Sequence, residues 1–308
     1  MHTLTKTAAA SVLAGVGAVA YGSLVERQAY ALRRFVLPVL PSGARPIDVL
    51  HLSDVHLLPD QRRKRAWISA LAELEPDAVI NTGDNIAHPE SIAPLMEAFA
   101  PLRGLPGAFV LGSNDYFAPG RKNPVDYLVR KRTKPRTPRL PTDVLVHELR
   151  GSGWVDLTNA RGRMTVRGLD IELVGVDDPH LRYDRYAEVA GPADPAADLT
   201  MGVVHAPYTR VLDAMTADGA DLVLAGHTHG GQLAVPFYGA LVTNCDLDRH
   251  RVKGVSRWWP GADGIDSAQA PGDAAYLHVS AGLGTSPYAP IRFSCRPEAS
   301  LLTLVPRP

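Results

Sequence analysis

A chain of 308 residues with 45% hydrophobic and 21% charged residues can bury a substantial core and is composed like an ordinary globular protein. Its 32 basic and 32 acidic residues cancel, which excludes a global field of the kind that draws in nucleic acid, and no nucleic-acid partner is expected. Two cysteines, Cys245 and Cys295, are too few for a disulfide framework and lack metal-site spacing; a single bridge would need an oxidising compartment.

The chain opens on an uncharged run from Thr7 to Val25, rich in Ala, Gly, Val and Leu. A membrane-spanning helix needs roughly 20 apolar residues, so this run is barely long enough. It reads as a signal anchor, as a signal peptide cleaved near Ala18-Val19-Ala20, or as a soluble amphipathic lead-in helix. Residues 1–28 are therefore set apart as a lead, and residues 29–308 form one domain. Membrane association or export is expected, with a cytoplasmic location as the alternative.

Tyr30 to Leu40 reads as a strand closed by Pro41-Ser-Gly43. Ile47 to Leu52 is a second, apolar enough to be buried on both faces, and it runs into Ser53-Asp54-Val55-His56. Residues 62–74 carry apolar positions at helical spacing until Pro76 stops them. The pattern then repeats. Ala78 to Ile80 ends at Thr82-Gly83-Asp84, Ser91 to Ala100 is helical, and Ala108 to Leu111 ends at Gly112-Ser113-Asn114-Asp115. Strands alternating with helices predict an α/β domain with a largely parallel sheet, whose ligands sit beyond the carboxyl ends of the strands.

Residues 121–139 break this rhythm with eight basic side chains against one acid, Asp126. The stretch is either a solvated loop or a basic surface for an anionic substrate or lipid head groups. Met164 to Val166 and Ile171 to Val174 form a predicted hairpin leading to Asp177-Asp178-Pro179-His180, where the acids serve a turn or stand behind a site. Strand Thr200 to Val204 ends in His205, a helix covers Pro207 to Ala217, and strand Asp221 to Ala225 ends in Gly226-His227-Thr228-His229. Residues 245–273 read as a loop, and Ala275 to Val279 and Leu301 to Val305 as late strands.

Seven residues at these strand ends form one constellation: Asp54, His56, Asp84, Asn114, His205, His227 and His229. Taken singly, each has an ordinary explanation, such as a helix cap or a satisfied core imidazole. Their recurrence at successive strand ends points to a metal. Two carboxylates, four imidazoles and an amide, with no thiolate, suit Mn, Fe or Zn. Seven ligands suit two divalent metal ions roughly 3.5–4 Å apart, the arrangement that polarises phosphoryl oxygens and generates hydroxide at neutral pH.

Asp54-x-His56, Gly83-Asp84, the 112–115 segment, His205 and Gly226-His-Thr-His229 resemble the motif series of the calcineurin-like metallophosphoesterases. Gly230-Gly-Gln232, Gly282 to Ser286 and Pro290 to Phe293 further resemble its bacterial membrane-associated branch, with phosphodiesterases and nucleotide-lipid pyrophosphohydrolases. The resemblance implies a four-layer αββα sandwich of two mixed β-sheets, the metallo-dependent phosphatase-like fold. It also implies that Asp54, His56 and His229 hold one metal, Asn114, His205 and His227 the second, and Asp84 bridges, so that Asp84, Asn114 and His229 count as catalytic. The family has Asn then His where this chain has Ser113 then Asn114. Without a gap Ser113 replaces the amide ligand; a one-residue slip returns Asn114 to the metal. Either way the usual His is missing, and Asn cannot act as a general acid. His88 and His180 are the replacement donors to consider. The expected activity is a dimetal phosphoesterase cleaving a phosphodiester or pyrophosphate bond, in a phosphate-containing small molecule or lipid, by a metal-bridging hydroxide. The alternative is a metal-binding scaffold of the same fold with little or no catalysis.

Overall fold

Strands that are apolar on both faces need a layer on either side, and this chain supplies them. The computed structural model describes residues 15–120, 137–235 and 238–308. Strands β1 (Ala31–Leu40), β2 (Ile47–Leu52), β3 (Ala78–Asn81), β4 (Gly107–Phe109) and β5 (Val155–Asp156) precede β6 (Ala160–Val166), β7 (Leu169–Gly175), β8 (Leu199–Val204) and β9 (Leu222–Ala225). A short hairpin, β10 (Ala234–Val235) and β11 (Gly239–Ala240), leads to β12 (Gly254–Trp258), β13 (Ala275–Val279) and β14 (Glu298–Pro306). One sheet has the order β1-β14-β2-β3-β4-β5 and the other β12-β13-β9-β8-β7-β6.

Both sheets are mixed. The neighbours from β2 to β5 are parallel, and β14 lies between β1 and β2, parallel to the first and antiparallel to the second. In the other sheet β13, β9, β8 and β7 are parallel, with β12 and β6 antiparallel at the edges. The expected parallel runs are therefore present, each extended by antiparallel strands.

The helices are α1 (residues 15–24), α2 (Arg62–Ala70), α3 (Ile92–Phe99), the single turn α4 (Ser113–Tyr116), α5 (Thr142–Gly151) and α6 (Thr209–Ala217). Alternation along β2 shows how the layers arise. Leu50 and Leu52 join Ile68, Leu95, Phe99 and Leu145 under α2, α3 and α5, whereas Val49 joins Ile80, Val110, Leu173, Val203 and Leu224 between the sheets. A third cluster, with Val204, Val211, Leu212 and Leu277, lies between the second sheet and α6. Three apolar interfaces separate four layers, in the order α, β, β, α.

Two elements differ from expectation. Residues 142–151 form α5, which buries only Leu145 and Leu149, too sparse an apolar stripe to register as a periodic pattern. Within the predicted 245–273 loop, β12 is an edge strand with one fully buried residue, Trp258, so it lacks alternation. Among the described residues, no helix is long and apolar enough to cross a membrane. Residues 121–136 of the basic stretch lie outside the described residues.

One polar pair crosses the apolar space between the sheets. His51 on β2 and His278 on β13 meet Nδ1 to Nδ1 at 2.9 Å, both fully buried. Burial drives both imidazoles to the neutral form, His51 well below its usual range and His278 down to about 3. In the unfolded chain they titrate near 6.5. The unfolded state therefore binds more protons below that pH, and the stabilising contribution present above pH 6.5 is lost as pH falls toward 3. Between pH 6.5 and 4 this should cost about 3 kcal/mol at His278, and His51 adds a loss of the same sign. Urea midpoints of the wild type and His278→Leu should converge over that range, and a constant difference between them would rule out the pair as the titrating element.

Candidate metal centre

β2, β3 and β4 of one sheet and β8 and β9 of the other point their carboxyl ends at the same rim, and the loops that follow carry the site. Asp54, His56, Asp84, His205, His227 and His229 are all buried; Asn114 is half-buried. Five of these side chains sit on left-handed backbone: Asp54 (φ 49°), His56 (42°), Asp84 (55°), His227 (68°) and His229 (51°). Each such conformation costs about 1–2 kcal/mol for a residue with a Cβ. Cross-connections between the loops hold them there: Asp54 N–H to the Gly83 carbonyl, His56 N–H to that of Asp84, and His227 N–H to the Asp54 carboxylate, each 2.9 Å.

The glycines of these loops make the approach possible. A Cβ on Gly226 would stand 1.9 Å from Ser53 Oγ and 2.6 Å from Asp54 Oδ2. One on Gly112 would stand 2.3 Å from Asp84 Oδ1 and 2.6 Å from the His205 ring. Neither position has room for any other residue.

The result is two overlapping groups. Ligand atoms of Asp54, His56 and His229 lie within 4.8 Å of one another, and so do those of Asp54, Asp84 and His205. Asp84 faces both ways, with Oδ2 3.4 Å from His56 Nε2 and Oδ1 3.6 Å from His205 Nε2. His56 and His229 meet Nε2 to Nε2 at 3.2 Å, and His229 Nε2 is 3.7 Å from Asp54 Oδ1. His227 belongs to neither group. Its ring packs 5.1 Å from that of His205, and Nε2 faces the Asn244 carbonyl at 3.3 Å. Asn114 donates to Asp84 twice, from its backbone N–H and from its amide, each at 2.7 Å. Ser113 does not reach Asp84; its Oγ is 3.4 Å from the Asn114 amide nitrogen.

These lone pairs are not reconciled by the protein alone. His205 Nδ1 donates to the Thr82 carbonyl at 2.7 Å, leaving Nε2 buried without a hydrogen-bond partner and 3.6 Å from Asp84 Oδ1. Such outward anchoring of one ring nitrogen is how a ligating imidazole is oriented. His56 Nδ1 also lacks a hydrogen-bond partner. Burial lowers His56 to about 4 and takes His227 and His229 well below their usual range, so all three are in the neutral, ligating form. Burial works against charge at His205 and Asp84 too, but is outweighed at both. Asp84, Asp178 and Asp54 raise His205 to about 9, and His205 and His56 hold Asp84 at about 2. The donor set fits divalent cations.

Several supporting residues escaped the sequence reading. Asp115 accepts the N–H groups of Asp84, Asn85 and Gly112 at 2.7–3.0 Å and so clamps two site loops together. Its neighbour Asn114 drew attention, but nothing local marks Asp115. Arg292, fully buried, donates to the carbonyls of Ala281, Gly282 and Gly284 and lies 3.2 Å from His229 Nδ1. Lys64 donates to the Val55 carbonyl, between two site residues, at 2.7 Å, and burial lowers it to about 7. A hydrogen-bonded line runs from His51 through Thr82 and Ser53 to Asp54. Asp178 takes the turn role, accepting the His180 N–H at 2.8 Å. The His180 ring packs 4.5 Å from that of His227, whereas His88 accepts the Glu90 N–H at the start of a surface turn.

A family model described as calcineurin-like phosphoesterase matches residues 47–231. The Bacillus subtilis (strain 168) protein YpbG is 27% identical over 305 residues, covering 96% of this chain and 93% of its own. The metallophosphoesterase YkuE from the same organism is 24% identical over 313 residues, covering 94% of each. Phosphodiesterase YaeI of Escherichia coli (strain K12) is 24% identical over 304 residues, covering 97% of each.

Gly112→Ala tests the packing directly. The methyl would displace Asp84 or His205, so the protein should keep its far-ultraviolet circular dichroism but lose bound metal, measured by elemental analysis after dialysis. Full metal content in this variant would contradict the described packing.

Proposed function

The chain belongs to the calcineurin-like phosphoesterase family, and from that premise we propose that residues 29–308 form a hydrolase for phosphodiester or pyrophosphate bonds. In this reading two divalent cations (Mn, Fe or Zn) are held by Asp54, His56 and His229 on one side and by Asn114, His205 and His227 on the other. Asp84 stands between them. The observation that carries the reading is the Asp84 carboxylate, each of whose oxygens faces an imidazole from a different group. The cation pair, when bound, supplies Lewis acidity toward phosphoryl oxygens and a water of lowered pKa.

The chain's own residues do the rest. His56, His227 and His229 are neutral, and His205, held charged by the carboxylates around it, would give up its Nε2 proton on binding a cation, so that Asp54 and Asp84 are the anions of the loaded site and the phosphoryl group meets a net positive centre. Asn114, beside Asp84, offers an amide N–H to a phosphoryl oxygen, where it stabilises developing charge. It has no proton to give, so protonation of a poor leaving group falls to another residue. The packing of the His180 ring against that of His227 supports His180 as this donor, whereas His88 accepts the Glu90 N–H in a cap. YaeI, described as a phosphodiesterase, supports a diester substrate. The uncharged helix α1, whose Gly22 carbonyl accepts the Arg292 N–H, supports a lipid-linked substrate met at a membrane surface.

Turnover of bis-(p-nitrophenyl) phosphate with added Mn, Zn or Fe tests the reaction, and Asp84→Asn should reduce it by roughly a thousandfold or more. Absence of metal-dependent turnover on diesters and pyrophosphates alike would sink the proposal. His180→Ala should slow alkyl diesters, which need a proton donor, about a hundredfold, and p-nitrophenyl esters much less. His88→Ala should change neither. Equal losses for both substrate types in His180→Ala would remove it as the donor.

A further inference from the structure

Ten of the fourteen exposed large hydrophobic side chains among the described residues fall on three segments: α1 with the residue that follows it, the β10–β11 hairpin region and the loop before β14. Val16, Val19 and Leu24 stand on α1, Tyr238 and Leu241 at the hairpin, and Tyr288 on the loop, all about half or more exposed. Scattered exposed apolar residues are ordinary; a contiguous set is not.

The three segments are joined into one face. Tyr21 of α1 packs edge-on against Phe293 at 6.5 Å, and Arg292 N–H donates to the Gly22 carbonyl at 3.2 Å. Leu233 pairs with Phe293 as an isolated bridge, and the Gln232 amide donates to the carbonyls of Ala289 and Ile291. The same segments reach the metal centre, since Arg292 contacts the His229 ring and Gln232 N–H donates to the His229 carbonyl.

Charge is distributed in keeping with one kind of occupant. Residues 15–25 and 231–245 contain no charged side chain, and 282–296 contains Arg292 and Arg296 and no acid. Basic side chains adjoin the three segments: Arg27 donates to the Ser23 carbonyl of α1, Arg296 donates to the carbonyls of Ala29 and Tyr30, the Lys253 stem lies beside Gly230, and Arg249 lies 4.3 Å over the Tyr238 ring. Glu26 is buried and accepts the N–H groups of Ser294 and Cys295, Asp248 pairs with Arg251, and exposed Asp246 accepts from Thr209 at the start of α6. An apolar centre bordered mainly by cations matches the interfacial layer of an anionic bilayer.

We propose that α1, the β10–β11 hairpin and the loop before β14 together dock this protein onto a phospholipid bilayer carrying anionic head groups. Docking through this face sets the metal centre at head-group depth. That consequence deepens the phosphoesterase reading and rests on it; the docking does not.

The full chain should sediment with vesicles of phosphatidylcholine and phosphatidylglycerol, and less with phosphatidylcholine alone. The triple variant Tyr238→Ser, Leu241→Ser, Tyr288→Ser replaces exposed side chains, so it should keep the wild-type melting temperature while its partition onto vesicles drops about tenfold or more. Two results would overturn the proposal. One is a triple variant that binds vesicles like the wild type, which would leave the N-terminal run as the sole anchor. The other is a wild type that stays in the supernatant but forms a dimer abolished by the same substitutions, which would make the occupant a second copy. Sedimentation is read without turnover, so a failed hydrolysis assay and a failed docking assay are separate outcomes.

Discussion

A single carboxylate with its two oxygens directed at imidazoles from different sheets is the constraint on which this structure turns. Asp84 follows β3, His56 follows β2 of the same sheet, and His205 follows β8 of the other. For one aspartate to serve both, the two sheets must stack with their carboxyl ends level. The sandwich core between them, from Val49 and Ile80 to Val203 and Leu224, sets that level. The His51–His278 pair crosses the same interface and connects through Thr82 and Ser53 to Asp54. Register between the sheets and geometry at the rim are thus one property.

That geometry is strained wherever it is most crowded. Left-handed backbone at Asp54, His56, Asp84, His227 and His229 turns each side chain inward at a point where an ordinary loop would turn it out. The cost is offset by inter-loop hydrogen bonds and by Asp115, whose carboxylate gathers three N–H groups from two loops. Glycine at 112 and 226 is demanded here by the volume of neighbouring ligand atoms.

Much of this was legible in the sequence because the fold repeats one local rule. An apolar strand followed by a polar residue is visible at Asp54, Asp84, His205 and His229 without knowledge of their partners, and sheet topology then brings them together. Elements outside that rule were invisible. α5 buries two side chains and β12 lies at an edge, so neither prints a period on its sequence. Asp115 gathers N–H groups from a loop some thirty residues earlier, and Lys64 and Arg292 donate to carbonyls of irregular backbone a few residues before them; a residue whose role is to satisfy loop carbonyls or N–H groups carries no signature of its own. Asn114 illustrates the boundary: its motif position was readable, while its twofold contact with Asp84 needed coordinates.

The placement of β14 between β1 and β2 has a consequence for how the molecule comes into being. On a ribosome, β1 and β2 emerge early but have no partner to join them until residues near 300 follow. The first sheet therefore stays divided through almost all of synthesis, and its closure is a late, long-range event with a large loop entropy to overcome. Until that strand slides in, the facing flanks of β1 and β2 are open edges of the kind that pair with other chains.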